Sequence, residues 1–250
     1  MQLPKPKTPK KPAGYIIYRG ASMLDGAPIV VVALTNSTNA KTGNMVQTYI
    51  LVDNGLSPVE NARSLADVSI CGDCKHRRGM GGACYVNLGQ GARAVAAAIV
   101  AGNYPSDILA AQNAAAGRMV RLGTYGDPAA VPANIWKTLL AKAGGRTGYT
   151  HQWQSGKASA EIMDLCMASA DNAEERAAAK AAGFRTFRVR AADEATMSGE
   201  FLCPASEEAG RRKLCAECGA CDGGLNSRRA DPVIIVHGSL KTRFIPIMVA

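Results

Sequence analysis

A chain of 250 residues, 47 % hydrophobic and 20 % charged, is long enough for one full core and has ordinary globular composition. No apolar run reaches the ~18 residues of a membrane span, and the start MQLPKPKTPKKP has no apolar centre, so no secretory signal is expected. A formal charge of +9 favours anionic partners, nucleic acid first among them, although 7 Tyr, 4 Phe and 2 Trp are few for a base-stacking surface.

Part of the excess charge sits on Lys5, Lys7, Lys10 and Lys11, in a Pro-rich tail over residues 1–14 that is expected to be disordered. Residues 15–250 then read as a single α/β domain. Its first strong element is the β-rich run Pro28–Leu34, followed by a polar turn around Gly43 and a second strand at Gln47–Val52. Together they predict a hairpin. Ser57-Pro58-Val59-Glu60 supplies the N-cap, N1 proline and N3 acid of a capping box, so a short helix to about Leu65 follows. Asp67–Ile70 is expected as a strand leading into the first cysteine loop.

Ala-rich Gly91–Ala101 and Asp107–Ala116 predict helices. Met119–Tyr125 is a strand, Gly126-Asp127-Pro128 a turn and Pro132–Ala143 a helix containing Trp136 as a core residue. Thr147–Trp153 and Ile162–Ala168 are read as strands, and Asp171–Glu174 caps a helix that ends before Gly183. Phe184–Arg190 alternates as a strand, and Pro232–Val236 is a last buried one. This alternation predicts a parallel sheet. A complete or partial β/α barrel of about six strands is the first choice, and an open doubly wound sheet the second. In both, strand C-termini present the ligand site. Cys71, Cys74, Asp127, His151, Gln152, Ser169, Asp171 and His237 all fall near such ends.

Seven of the eight cysteines lie in two loops, 71–91 and 203–224. Clustered cysteines without a signal segment point to thiolate–metal bonds in a reducing cytosol rather than to disulfides. Two residues between cysteines let one turn aim both sulfurs at one ion, which makes Cys71-x2-Cys74 a two-ligand knuckle with Gly72 in the turn. Cys84 is a third ligand. His76 would complete a tetrahedral zinc site; without it, three thiolates on a [4Fe–4S] cluster leave one iron open. Cys215-x2-Cys218-x2-Cys221 has the spacing of a bacterial ferredoxin run, and Cys203-Pro204 adds a fourth thiolate. Zinc and an iron–sulfur cluster both remain open, as does one site combining the two loops. Cys166, in an apolar run, reads as core.

Weaker signals accompany these. Gly89-x-Gly91 before a helix could offer N–H groups to an anionic cofactor. The basic segments Lys75-His76-Arg77-Arg78, Arg211-Arg212-Lys213 and Arg228-Arg229 lie in or beside the cysteine loops, where they would contact phosphates or simply face solvent.

The phrases CGDCKHR, CYVNLGQG, RLGTYGDP, YTHQW, MASADNAEE and CPASEEAG with CAECGACDG resemble a group of uncharacterised tailed-phage and prophage proteins, over about Pro28 to Gly238. That resemblance implies a phage origin, hence the cytoplasm of a bacterial host. A looser similarity is to radical S-adenosylmethionine enzymes, whose partial barrel carries a three-cysteine loop after an early strand. Their usual Cys-x3-Cys-x2-Cys is Cys-x2-Cys-x9-Cys in this chain. The similarity implies an open cluster on Cys71, Cys74 and Cys84, and an auxiliary one on Cys203, Cys215, Cys218 and Cys221. S-adenosylmethionine would be the partner cofactor, with Asp127, His151, Gln152 and Ser169 lining the substrate site.

Two further functions compete with that enzyme. One is a zinc-stabilised nucleic-acid-binding protein of phage replication or host takeover. The other is an interaction module with purely structural zinc.

Overall fold

The computed structural model describes residues 11–37, 39–210, 212–224 and 229–244. Lys5, Lys7, Lys10, Arg211 and Arg228 therefore lie outside the described residues. The protein is a mixed α/β fold with two five-stranded sheets. The first is built in chain order from β1 (Gly14–Ala21), β2 (Pro28–Leu34), β3 (Val46–Val52), β4 (Met119–Tyr125) and β5 (Gly145–Thr147). The expected hairpin is β2–β3, paired from Ile29↔Val52 to Leu34↔Gln47. β1 adds antiparallel to it, so the region read as tail ends earlier than expected: Gly14 already pairs with Leu34. Between β1 and β2, Gly26 takes φ 82° in a tight turn closed by its own N–H to the Ser22 carbonyl, 2.9 Å.

From β3 onward every pairing is parallel. The second sheet comprises β6 (Tyr149–Thr150), β7 (Met167–Ala170), β8 (Thr186–Arg190), β9 (Glu200–Leu202) and β10 (Asp231–Ile235), and is wholly parallel in the order β6-β7-β8-β10-β9. One residue, Gly148, separates β5 from β6, and there the chain passes from one sheet to the next. A Cβ at Gly148 would sit 2.7 Å from the Cys166 sulfur, so glycine is required by close approach. Among the described residues no hydrogen-bonded strand pair closes the two sheets into a ring.

The helices are α1 (Pro58–Arg63), α2 (Val68–Cys71), α3 (Arg93–Val100), α4 (Ile108–Ala114), α5 (Ala133–Leu140), α6 (Ala160–Leu165), α7 (Ala173–Ala181) and α8 (Cys215–Cys218). α1 carries the full predicted capping box. Two expected strands need correction. Asp67–Ile70 belongs to helical turn α2, closed by the Cys71 N–H to Asp67 (2.9 Å) and the Gly72 N–H to Val68 (2.7 Å). Ile162–Ala168 divides into the end of α6 and the start of β7. A short apolar run has no periodicity with which to choose between helix and strand. The run expected at Thr147–Trp153 likewise ends as a strand at Thr150 and turns through His151.

The two sheets are held differently. The first packs a continuous apolar core that includes Ile29, Val31, Leu122, Leu139 and Trp136, and Cys166 is buried within it. The Trp136 indole N–H finds the Pro128 carbonyl at 3.0 Å, as a buried indole must. In the second sheet, the alternation of β8 turns Thr186, Arg188 and Arg190 to the more buried side and Phe187 and Val189 to the other. Arg188 forms a two-pronged bond to Glu200, 2.8 Å at each contact, and Arg185 reaches Asp231 at 3.1 Å. No helix of the described residues is long and apolar enough to cross a membrane.

Candidate metal centre

Seven cysteines line one cavity of about 200 Å³, on the side where the parallel strands end. Cys71 ends α2; Cys74 and Cys84 lie on the loop that follows it. Gly72 makes the turn between the first two with φ 53°, and a Cβ there would lie 2.2 Å from the Gln152 Oε1. The glycine is required both by the left-handed backbone and by the buried amide against it. Gln152 donates from Nε2 to the Cys71 carbonyl at 3.0 Å and accepts from the Asp73 N–H at 3.4 Å. Its side chain is a buckle on the cysteine loop, and it does not line the cavity.

Arg77 fastens the same loop from the other side. Its guanidinium donates to the Asp67 Oδ1 at 3.0 and 2.7 Å, to the Gly72 carbonyl at 3.2 Å and to the Leu65 carbonyl at 2.8 Å. Lys75 pairs with Glu175 at 2.7 Å and with Asp171 at 3.3 Å. Within the basic segment 75–78, read as a phosphate contact or a solvated face, Lys75 and Arg77 are thus engaged within the fold, whereas the Nε and one terminal nitrogen of Arg78 are buried without a hydrogen-bond partner. Arg229 is held by Asp222 at 2.9 Å.

Cys203 follows β9, Cys215 and Cys218 bound α8, and Cys221 lies just beyond. Burial pushes the Cys221 thiol up to about 12, reinforced by Cys203, Cys215 and Cys218 around it. Burial likewise raises Cys71 and Cys84, with neighbouring thiols of their own loop adding to the shift. Two sets of thiols therefore face one space, and burial favours the neutral form of Cys71, Cys84, Cys215 and Cys221 until a cation arrives.

Arg121, on β4, stands beside the second set. It is 8 % exposed. Its partners are the Tyr85 hydroxyl at 2.6 Å and the Tyr149 ring, 5.3 Å from guanidinium carbon to centroid. Among the described residues it has no carboxylate partner, and Cys215 and Cys221 lie close enough to favour its charge. Tyr85 also stacks on His237, 5.4 Å between centroids, and His237 Nε2 is 3.5 Å from the Lys41 Nζ. Sequence reasoning missed Arg121 because its partners are 28 or more positions away, from Tyr149 to Cys221; only its position on a strand leading to the site was visible.

The four residues expected to line a substrate site divide. His151 and Ser169 do line the cavity. Asp127 also borders it, but its Oδ1 accepts from the Ala129 N–H and its Oδ2 from the His151 N–H, each at 2.9 Å. Burial pushes that carboxyl up, and its visible task is to tie β4 to β6. Gln152 is the loop buckle described above. Gly89 and Gly91 lie outside this cavity, on the turn before α3. The Gly89 N–H is bonded to the Asn87 side chain at 3.0 Å, so it is not available to an anion.

Asp171, just after β7, collects His76 Nε2 at 2.9 Å and His151 Nε2 at 3.7 Å. Burial by itself would raise that carboxyl, but the two imidazoles hold it far below the ordinary carboxylate range. Burial would lower His151; Cys74 and Asp171 beside it reverse the direction and push it well up. Asp171 was visible from the sequence as a rim residue, though not as the partner of both histidines. Comparison with known proteins adds no relative: no family model, no curated protein and no solved structure matches the chain.

Proposed function

We propose that the chain is a cysteine-ligated iron–sulfur protein, similar in plan to radical S-adenosylmethionine enzymes, with its centres at the mouth of a partial β/α barrel. One observation carries the reading. Thiols from two distant loops converge on one cavity, and beside them a buried guanidinium has no carboxylate among the described residues. A buried cation needs a compensating anion, and thiolates of a bound centre supply it.

The donor spacing supports a cluster over a single ion. Zinc–sulfur bonds of ~2.3 Å place tetrahedral thiolates about 3.8 Å apart. Among the described residues the group of three or more His, Cys, Asp or Glu donors lying within 4.8 Å of one another is His76, His151 and Asp171, not a thiol set. That no three thiols of the described residues meet this spacing favours a centre larger than one ion. Cys71, Cys74 and Cys84 would hold a centre with one open position, where S-adenosylmethionine or a substrate would bind. Cys203, Cys215, Cys218 and Cys221 would close a second. Such centres supply one-electron chemistry when bound.

The chain's own residues have separable tasks: Gln152 and Arg77 fix the first loop, Arg121 balances charge at the second, and Ser169 and His151 face the shared space. The passage of parallel strands from sheet to sheet at Gly148 supports a partial barrel. All eight thiols are free, which suits the reducing cytosol of a bacterial host carrying phage genes.

Anaerobic purification with iron, sulfide and zinc analysis tests this. The expected result is iron with sulfide and a brown absorbance near roughly 400 nm, as for thiolate-bound clusters. Cys71→Ala and Cys74→Ala should each remove only part of the iron. Zinc without iron or sulfide sinks the proposal and favours the zinc-stabilised nucleic-acid-binding alternative.

A further inference from the structure

The geometry points to a third metal site that contains no cysteine: we infer that His76, His151 and Asp171 bind one mononuclear divalent ion of the iron(II) or manganese(II) class. Three separate segments deliver the donors, from the first cysteine loop, the turn after β6 and the turn after β7. Their ligand atoms lie within 4.8 Å of one another. Ligands 2.0–2.2 Å from one ion, at tetrahedral or octahedral angles, stand about 2.9–3.6 Å apart. The observed separations from Asp171 are 2.9 Å to His76 and 3.7 Å to His151.

A second observation is independent of this spacing. Asp171 is fully buried, and neither of its carboxylate oxygens has a partner in hydrogen-bond geometry; the buried Nε2 of His76 also has none. The imidazole nitrogen and carboxylate oxygen are close without being aligned as donor and acceptor. Convergence on a common point between them explains both facts. Leaving such groups buried and unsatisfied costs free energy that ordinary cores avoid.

The surroundings fit ligation. Lys75, itself held by Glu175, forms an ion pair with Asp171 at 3.3 Å outside hydrogen-bond geometry, the place an outer partner of a metal ligand would take. Phe244 stacks on the His76 ring at 5.7 Å and covers that side. All three donors line the cavity, so coordination positions not filled by protein face the same space as the thiols. Two imidazoles and one carboxylate with open positions make a harder donor set than thiolates. They select an iron(II)- or manganese(II)-like ion that can accept an oxygen-bearing ligand.

Manganese(II) is the probe, because its free-ion paramagnetic resonance signal falls on binding and it has little preference for thiolates. The purified full-length protein should take up one manganese(II) per chain. Asp171→Asn and His76→Gln should each weaken uptake at least about tenfold, while Cys71→Ser and Cys84→Ser leave it in place. Asp171→Asn keeps the buried shape, and circular dichroism checks that it folds; His76→Gln provides a second, less buried probe.

Absence of uptake by the wild-type protein overturns the site and leaves a simple histidine–aspartate ion pair. Uptake that survives both substitutions, or vanishes with the cysteine variants, also overturns it. Iron–sulfur content does not enter this measurement, so failure here and failure of the cluster proposal are distinguishable.

Discussion

The first cysteine group lies among imidazoles and carboxylates, and the second beside a guanidinium and phenols. His76, His151 and Asp171 adjoin Cys74; Arg121 and Tyr149 adjoin Cys215 and Cys221. The first set has three thiols on a loop pinned at two points, by Gln152 and Arg77. The second has four, of which Cys203 and Cys215 share a small apolar cluster with Met45 and Ile234. On the proposed reading, the local charge would give the two groups different work. An open set near proton-holding side chains suits a reacting centre, whereas a closed set built into the packing of β10 suits a structural or electron-transferring one.

The largest effect that separates them is on folding. Cys215 shares a packed cluster with Ile234 and Met45, so on the proposed reading losing its metal bond would also loosen the second sheet. Cys215→Ser should cost several of the roughly 10–16 kcal/mol that a structural thiolate site can supply. Cys84→Ser should change thermal stability much less while removing metal from the first group. Comparing thermal unfolding with metal content for the two variants decides it, and equal destabilisation would erase the proposed difference.

Arg77 comes next. It is 9 % exposed and is matched by Asp67 at 3 %, so removing one partner leaves a buried charge. Arg77→Met should cost about 3–5 kcal/mol in denaturant unfolding and release metal from the first group only. If the second group loses metal as well, the two loops act as one unit.

The part of this comparison that could be read from the sequence is local. The Cys-x2-Cys turn with Gly72, the Ser57 capping box and the arrival of His151, Ser169 and Asp171 at strand ends each depend on neighbours a few positions away. β1 was hidden because GYIIYRGA directly follows a Lys/Pro segment, whose composition drew the boundary too late. Strand β8 was identified but its sense was not. Alternation says that Arg188 and Val189 face opposite ways, while the burial of the arginine side depends on Glu200 and on Asp231, far along the chain. Arg121 and the paired histidines fail for the same reason. Their meaning lies in partners that only the folded chain brings near.

Arg121 tests the electrostatic side of the contrast. A unit charge ~6 Å from a bound centre, at an effective dielectric of ~20, contributes about 3 kcal/mol, or on the order of 100 mV for one electron. Arg121→Met should move the second centre to a more negative potential by that order and leave the first nearly unchanged. A redox titration followed by paramagnetic resonance reads both centres in one sample. Equal shifts would place the guanidinium between the groups instead of beside the second.

The smallest effect belongs to Gln152, whose side chain bonds the backbone at Cys71 and Asp73 and accepts from the Ser155 hydroxyl at 3.5 Å. Gln152→Ala removes one bond to a carbonyl, one from an N–H and a long one from the Ser155 hydroxyl, and should cost about 1–2 kcal/mol in global stability. Its informative consequence is kinetic. With the Gly72 turn no longer backed by the amide, metal should leave the first group faster than in the wild type when challenged with a chelator, and leave the second group at an unchanged rate. Gln152→Glu keeps an acceptor for the Asp73 N–H but buries a carboxylate against the Cys71 carbonyl, so it should release metal at least as fast as Gln152→Ala. If both variants release metal at the wild-type rate, Arg77 alone sets the loop, and the amide serves only to fill the space that the missing Cβ of Gly72 leaves open.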